Sequence, residues 1–210
     1  MILHCVRHGE STYNAEGRVQ GQADVPLSPL GGRQGAAVAE ELRKRRIEAV
    51  FTSPLRRASQ MAEIVAAATA CPLFVVDDLK EIHAGIFQHQ LRRDLQVQWP
   101  EAYRRWIGED MDYVIPGGES RRQLAARGAA ALRRIAASPY RAVAVMSHGR
   151  LLVSAFSALM PQESHRIPRA LQNASISSLE YDATAGRFRL LTVDETEHLQ
   201  AVGLTGCGDL

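Results

Sequence analysis

Apolar residues recur along this chain in two rhythms. Short continuous runs at Met1 to Val6, Ala49 to Thr52, Pro72 to Val76 and Ala142 to Met146 read as buried strands. Helical spacing marks Arg33 to Arg46, a segment opened by Ser53 as N-cap and Pro54, Glu119 to Ala137, and Gly149 to Leu159. Arg7 to Gly32 is polar and Gly-rich, which predicts a long loop with room for a helical turn. Ordered loops of that length usually carry function. Ser175 to Tyr181 and Arg187 to Val193 read as two strands joined by a turn through Asp182 and Gly186. Ile82 to Gly118 is less regular, and Trp99, Tyr103 and Trp106 recur there at helical spacing, which favours short packed helices over a substrate platform. The alternation predicts an α/β fold: three layers, α/β/α, around a mostly parallel sheet with a late antiparallel strand. The expectation is a single domain over 1–210 with a small helical cap at about 83–118.

Composition narrows the function classes. The balance of 46% hydrophobic and 23% charged residues is that of a globular domain with a substantial core. Formal charge is +2, from 25 basic and 23 acidic residues scattered along the chain, so nucleic acid is not an expected partner. The run Arg43-Lys44-Arg45-Arg46 closes a helix, where cations meet the negative end of its dipole. Cys5, Cys71 and Cys207 show neither metal-ligand spacing nor disulfide density, which fits a reducing cytosol. Cys5 reads as a small buried hydrophobe. The first apolar run is too short for a signal peptide or a membrane span, so a cytoplasmic protein without membrane partners is expected.

Candidate chemistry sits where such folds keep it, just beyond the strands. Arg7-His8-Gly9 follows the first strand, Arg56 the second, Glu81 the third and His148-Gly149 the fourth. A phosphoryl group in transfer spreads charge over its equatorial oxygens, and guanidinium and imidazole donors stabilise that charge. Neutral imidazole can attack phosphorus and leave an N–P bond that water later cleaves, which makes His8 the candidate nucleophile. A carboxyl group must protonate the departing alkoxide and then activate water; Glu81 is the candidate. A zinc reading would enlist His83 and His89 with His8 or His148, but recognisable ligand spacing is lacking, so no metal and no other cofactor is expected.

These stretches resemble the histidine phosphatase superfamily, the phosphoglycerate mutase-like group. Arg7-His8-Gly9-Glu10-Ser11 with Asn14 is similar to its opening motif, continued by Gln20-Gly21, Asp24, Pro26-Leu27-Ser28 and Gly31. Ser53-Pro54-Leu55-Arg56-Arg57-Ala58, Glu81 with Gly85, Pro116 to Ser120, Ser147-His148-Gly149 and Asn173 to Ile176 resemble its later signatures. The resemblance implies phosphorylation of His8, with Arg7, Asn14, Arg56 and His148 on the phosphoryl oxygens and Glu81 as proton donor. It further implies that Gln20 and Gly21 touch the substrate and that the backbone at Gly149 helps close the pocket. Ile86-Phe87-Gln88-His89 stands where many of these phosphatases carry a tryptophan, an acid and a glycine. The tail from Val202 to Leu210 has no counterpart and is expected to be mobile.

The expected function is a metal-independent phosphatase acting on a small phosphorylated metabolite. Phosphoserine is the leading substrate because Trp99 to Ser120 and the Asn173 and His198 segments resemble metal-independent phosphoserine phosphatases. The alternatives are a cofactor-dependent phosphoglycerate mutase, against which the short Ile82 to Gly118 segment argues, and a catalytically silent phospho-ligand-binding module, against which the full residue set argues. His198 is open between a pocket residue and plain surface, and a homodimer is an open expectation of the resemblance.

Overall fold

The computed structural model describes residues 1–108 and 110–204; the expectations for Cys207 and for the end of the tail lie outside those residues. Six strands, β1 (Ile2–Arg7), β2 (Ala49–Thr52), β3 (Leu73–Val75), β4 (Ala142–Ser147), β5 (Ile176–Asp182) and β6 (Arg187–Glu195), form one sheet in the order β3-β2-β4-β1-β5-β6. The pairs β1 with β4, β2 with β4 and β2 with β3 are parallel, while β5 is antiparallel to both β1 and β6. One strand, β5, therefore runs against the rest, as the late antiparallel element in the sequence predicts. In the β1–β4 register Arg7 pairs with Ser147, so the residues that follow, His8 and His148, leave the sheet side by side.

Strand alternation sorts the core into two layers. Leu3, Cys5, Val143 and Val145 pack with Leu124 and Leu132 of α6 (Arg121–Ala136) and Leu151 and Phe156 of α7 (Gly149–Leu159). Val6, Val50, Ala144 and Met146 pack with Val38 and Leu42 of α2 (Pro29–Lys44) and Met61 and Val65 of α3 (Arg56–Thr69). Cys5 is fully buried, and burial pushes its thiol well above the ordinary range, in keeping with a packing role. His4, on the Val6 side of β1, is buried with Nδ1 2.9 Å from Ser178 Oγ.

Two helix starts differ from expectation. α2 begins at Pro29 rather than Arg33, because Ser28 caps it by accepting the Gly31 N–H at 3.1 Å and proline occupies its first turn. Gly31 is needed there, since a Cβ would run into the Glu10 carbonyl. α3 begins at Arg56, and Ser53 does not cap it: the cap position is Leu55, whose N–H donates to Ser53 Oγ at 3.3 Å. Within Arg7 to Gly32, the helical turn is α1 (Thr12–Glu16), held by a capping box between Ser11 and Asn14. The cap segment holds α4 (Leu95–Gln98) and α5 (Pro100–Ile107), with Trp106 buried and Trp99 exposed. Among the described residues no helix is long and apolar enough to cross a membrane.

Candidate active site

The site lies at the carboxyl ends of β1 and β4, where parallel strands leave side chains beyond the sheet. His8 is 1% exposed and anchored through its backbone: its N–H donates to Ser147 O at 2.9 Å, and its carbonyl accepts the Ala174 N–H and the Asn173 Nδ2 donor, each at 3.1 Å. Its Nδ1 lies 2.7 Å from the Gly9 carbonyl, which can only accept, so in the neutral ring Nδ1 carries the proton and Nε2 the lone pair. The Arg57 Nε–H donates to that Nε2 at 3.2 Å. Arg57 is fully buried and held from behind, Nη1 donating to Ala23 O at 2.9 Å and Nη2 to Gly21 O at 2.8 Å.

This corrects the sequence assignment. Arg56 is exposed and reaches the neighbouring loop only through its backbone N–H, which donates to Asp24 Oδ1 at 2.8 Å. The helical phase of α3 carries the missed signal: Arg57 precedes the buried Met61 and Val65 by one and two turns, whereas Arg56 shares the face of the exposed Glu63.

Arg7, the last residue of β1, is fully buried, its Nη1 donating to the Leu171 carbonyl. His148, the N-cap residue of α7, is also fully buried; its ring centroid lies 5.2 Å from that of His8, and its Nε2 is 2.8 Å from Ser53 Oγ. Burial first, then the Arg57 guanidinium, holds the His148 ring well below the usual imidazole range, so it is neutral in the empty site.

Glu81 is 5% exposed. Its Oε1 accepts the Ile82 and Leu151 N–H groups at 2.8 and 3.0 Å, and its Oε2 the Arg150 N–H at 3.1 Å, so the carboxylate sits on the first turn of α7. Its loop is clamped by Arg127, whose Nη1 donates to Asp78 O at 2.9 Å and Lys80 O at 2.7 Å, and whose Nη2 donates to Glu81 O at 3.2 Å. Gly85, at φ 46°, leaves no room for a Cβ against the Pro116 carbonyl and lets this loop turn.

The cleft is lined by His8, Val19, Gln20, Gly21, Arg57, Glu81, Ile82, Ala84, Arg92 and Arg150. Of the residues named from sequence, His8, Gln20, Gly21 and Glu81 line it, and Arg7 and His148 lie buried behind it. Asn14, on α1 of the opening loop, is not among the lining residues and has its Oδ1 3.3 Å from Asn173 Nδ2, and Gly149 opens α7. Arg92 and Arg150 are cleft residues that the sequence reading missed; nothing distinguishes them from the chain's other arginines until the fold is known. His83 and His89 line none of it: His83 Nδ1 accepts the Gly85 N–H at 3.3 Å, and His89 Nδ1 lies 2.9 Å from the Tyr13 hydroxyl. His198, half-buried, has Nε2 2.9 Å from Ala174 O and supports the segment that touches His8 rather than the cleft itself.

Residues 3–194 match the sequence profile of the histidine phosphatase superfamily (branch 1). The chain belongs to the histidine phosphatase superfamily. A metal-independent phosphoserine phosphatase of Arabidopsis thaliana is 36% identical over 94% of this chain and 83% of its own length. A probable phosphoglycerate mutase of Proteus mirabilis is 34% identical over 96% of each. Among solved structures, a mycobacterial glucosyl-3-phosphoglycerate phosphatase in complex with VO3 superposes with a TM-score of 0.82 at 32% identity, covering 93% of this chain and 99% of that one. This histidine phosphatase is a phosphoric monoester hydrolase by class.

Proposed function

We propose that the chain hydrolyses small phosphate monoesters through a phosphohistidine on His8, without a metal ion, and that phosphoserine is among its substrates. The observation that carries this reading is the tautomer of His8, whose Nδ1–H is engaged by the Gly9 carbonyl while Nε2, in the cleft wall, keeps its lone pair. Nε2 attacks phosphorus in line, and the ester oxygen leaves with the N–P bond formed. Arg57, released from Nε2 as phosphorus takes its place, and Arg7 stabilise the charge on the equatorial oxygens, the task that metal ions perform in other phosphoryl-transfer sites. An arriving phosphate dianion raises the proton affinity of Glu81, which delivers that proton to the leaving alkoxide. Glu81, again a carboxylate, then takes a proton from water as its oxygen attacks phosphorus, freeing phosphate and His8.

The phosphoserine reading is supported by the plant relative, a metal-independent phosphoserine phosphatase by name. A second reading, return of the phosphoryl group to a bound glycerate, is favoured by the Proteus mirabilis relative, named a probable phosphoglycerate mutase. That relative matches over 96% of each chain, so the short cap segment does not argue against it. One assay separates the readings: phosphate release from p-nitrophenyl phosphate and phosphoserine in excess chelator, with His8→Ala as the blank. Hydrolysis that survives chelation and disappears in the variant is expected. Loss on chelation that added metal restores would overturn the metal-free reading, and rapid isomerisation of phosphoglycerate with little free phosphate would favour the mutase.

A further inference from the structure

Proton transfer to a leaving oxygen needs the donor carboxyl within hydrogen-bond reach, and a displacement of about 1 Å costs on the order of a hundredfold in rate. His8 and His148 are placed by the sheet, because each directly follows a strand. Glu81 is not: β3 ends at Val75, and Val76 to Lys80 come between. Its place is set by whatever holds this loop. Four successive carbonyls there accept from side chains. Arg127 Nη1 donates to Asp78 O at 2.9 Å and Lys80 O at 2.7 Å, and Ser147 Oγ donates to Leu79 O at 2.8 Å. The Glu81 carbonyl accepts Arg127 Nη2 at 3.2 Å and Gln22 Nε2 at 3.0 Å. Beyond Glu81, Glu119 Oε1 accepts the His83 N–H at 2.8 Å, and the Glu119 N–H donates to His83 O at 3.0 Å. The same Oε1 accepts Arg127 Nη2 at 2.6 Å, in an ion pair whose side chains are 20% and 16% exposed. One guanidinium–carboxylate pair thus grips the backbone on both sides of Glu81.

The frame behind this grip is tightly packed. Gly128 of α6 lies so close to α7 that a Cβ there would meet Ala155 at 3.0 Å and Leu151 at 3.2 Å. α6 carries Arg127, and the first turn of α7 presents the Arg150 and Leu151 N–H groups to the Glu81 carboxylate. Backbone and carboxylate are therefore referred to two helices in direct contact. Net stability is a poor account of the ion pair, because desolvating two charges offsets most of their attraction. What the planar guanidinium fork fixes is the direction of the carbonyls it binds, and with them the direction in which Glu81 leaves the chain.

We propose that Arg127 and Glu119 are positioning residues for the proton donor, aligning the Glu81 carboxyl with the leaving oxygen. Neither lines the cleft, so they act through the loop rather than on the substrate. The proposal rests on the reading of Glu81 as proton donor and adds what makes that carboxyl competent.

Phenyl phosphate and p-nitrophenyl phosphate share a ring, but phenolate is the stronger base and leaves with greater need of a proton. The ratio of their kcat/KM values, which report the first chemical step, therefore reads the proton donor. In Glu81→Gln the loss on phenyl phosphate is expected to exceed that on p-nitrophenyl phosphate on the order of tenfold or more. Arg127→Gln and Glu119→Gln should show the same selective loss, several-fold in size, and Arg127→Lys should recover part of it. Each ratio is taken on one protein sample, so a lower folded fraction cancels from it. Arg127→Lys keeps the charge and carries the same comparison with less disturbance of folding. Equal loss on both esters, or no loss, in either glutamine variant would overturn the positioning role while Glu81→Gln still marks Glu81 as the donor. A Glu81→Gln variant that loses both esters equally would remove Glu81 as the donor and the proposal with it.

Discussion

A guanidinium serves a phosphoryl group only from inside the cleft, and at the start of α3 the helical phase decides which of two adjacent arginines reaches it. Arg57 is fully buried with Nε 3.2 Å from His8 Nε2, while Arg56 points to solvent. Arg57→Ala is therefore expected to lower kcat/KM on the order of a hundredfold or more, whereas Arg56→Ala should stay within about threefold of wild type. Steady-state kinetics on the two variants checks this, and the reverse pattern would restore the sequence assignment. His8, Glu81 and His148 were legible because each follows a strand with little chain between, so the prediction of the strand places the residue. Arg57 was not, because assigning Ser53 as the cap shifts the helix and leaves its phase unread. Arg92 and Arg150 were not legible either, since they become cleft residues only when the cap and α7 meet.

At the scale of elements, the loops after β1 and β3 are held by caps and backbone clamps rather than by apolar burial alone. Ser28 is an example: its Oγ accepts the Gly31 N–H at 3.1 Å and donates to Glu10 Oε1 at 2.6 Å, tying the start of α2 to the loop that carries His8. Ser28→Ala should cost about 1–2 kcal/mol of stability, read as a lower urea midpoint at unchanged m-value. A variant as stable as wild type would mean that proline and helix packing fix that end unaided. The strands were the most legible elements because their apolar runs are short and punctuated. Helix starts were less so, because Pro29-Leu30-Gly31-Gly32 reads as a loop until Ser28 is seen to cap it. The cap segment was legible only in its helical aromatic spacing, of which Trp106 is the buried member.

For the molecule as a whole, histidines buried in neutral form set the acid limit of stability. Burial first, and the Arg45 guanidinium second, lower the His4 imidazole from 6.5 to about 4. The unfolded chain therefore binds a proton near pH 6.5 that the folded chain takes up only near 4. Its contribution is complete above pH 6.5 and is lost as pH falls toward 4, by up to about 3 kcal/mol. His148 and His198 are shifted in the same direction, so acid weakens the core behind β1 and the site together. Urea unfolding followed from pH 7 to pH 4 should show a shallower pH dependence for His4→Gln than for wild type, by about one proton; equal slopes would mean that His4 titrates normally. The central claim is nonetheless chemical, and it is met most directly by quenching the enzyme within milliseconds of mixing with phosphorus-32-labelled substrate and mapping the label. The account predicts a protein-bound phosphoryl group, stable to base and labile to acid, on the peptide containing His8 and absent from His8→Ala. No covalent label during turnover, or an acid-stable label on a serine, would contradict it.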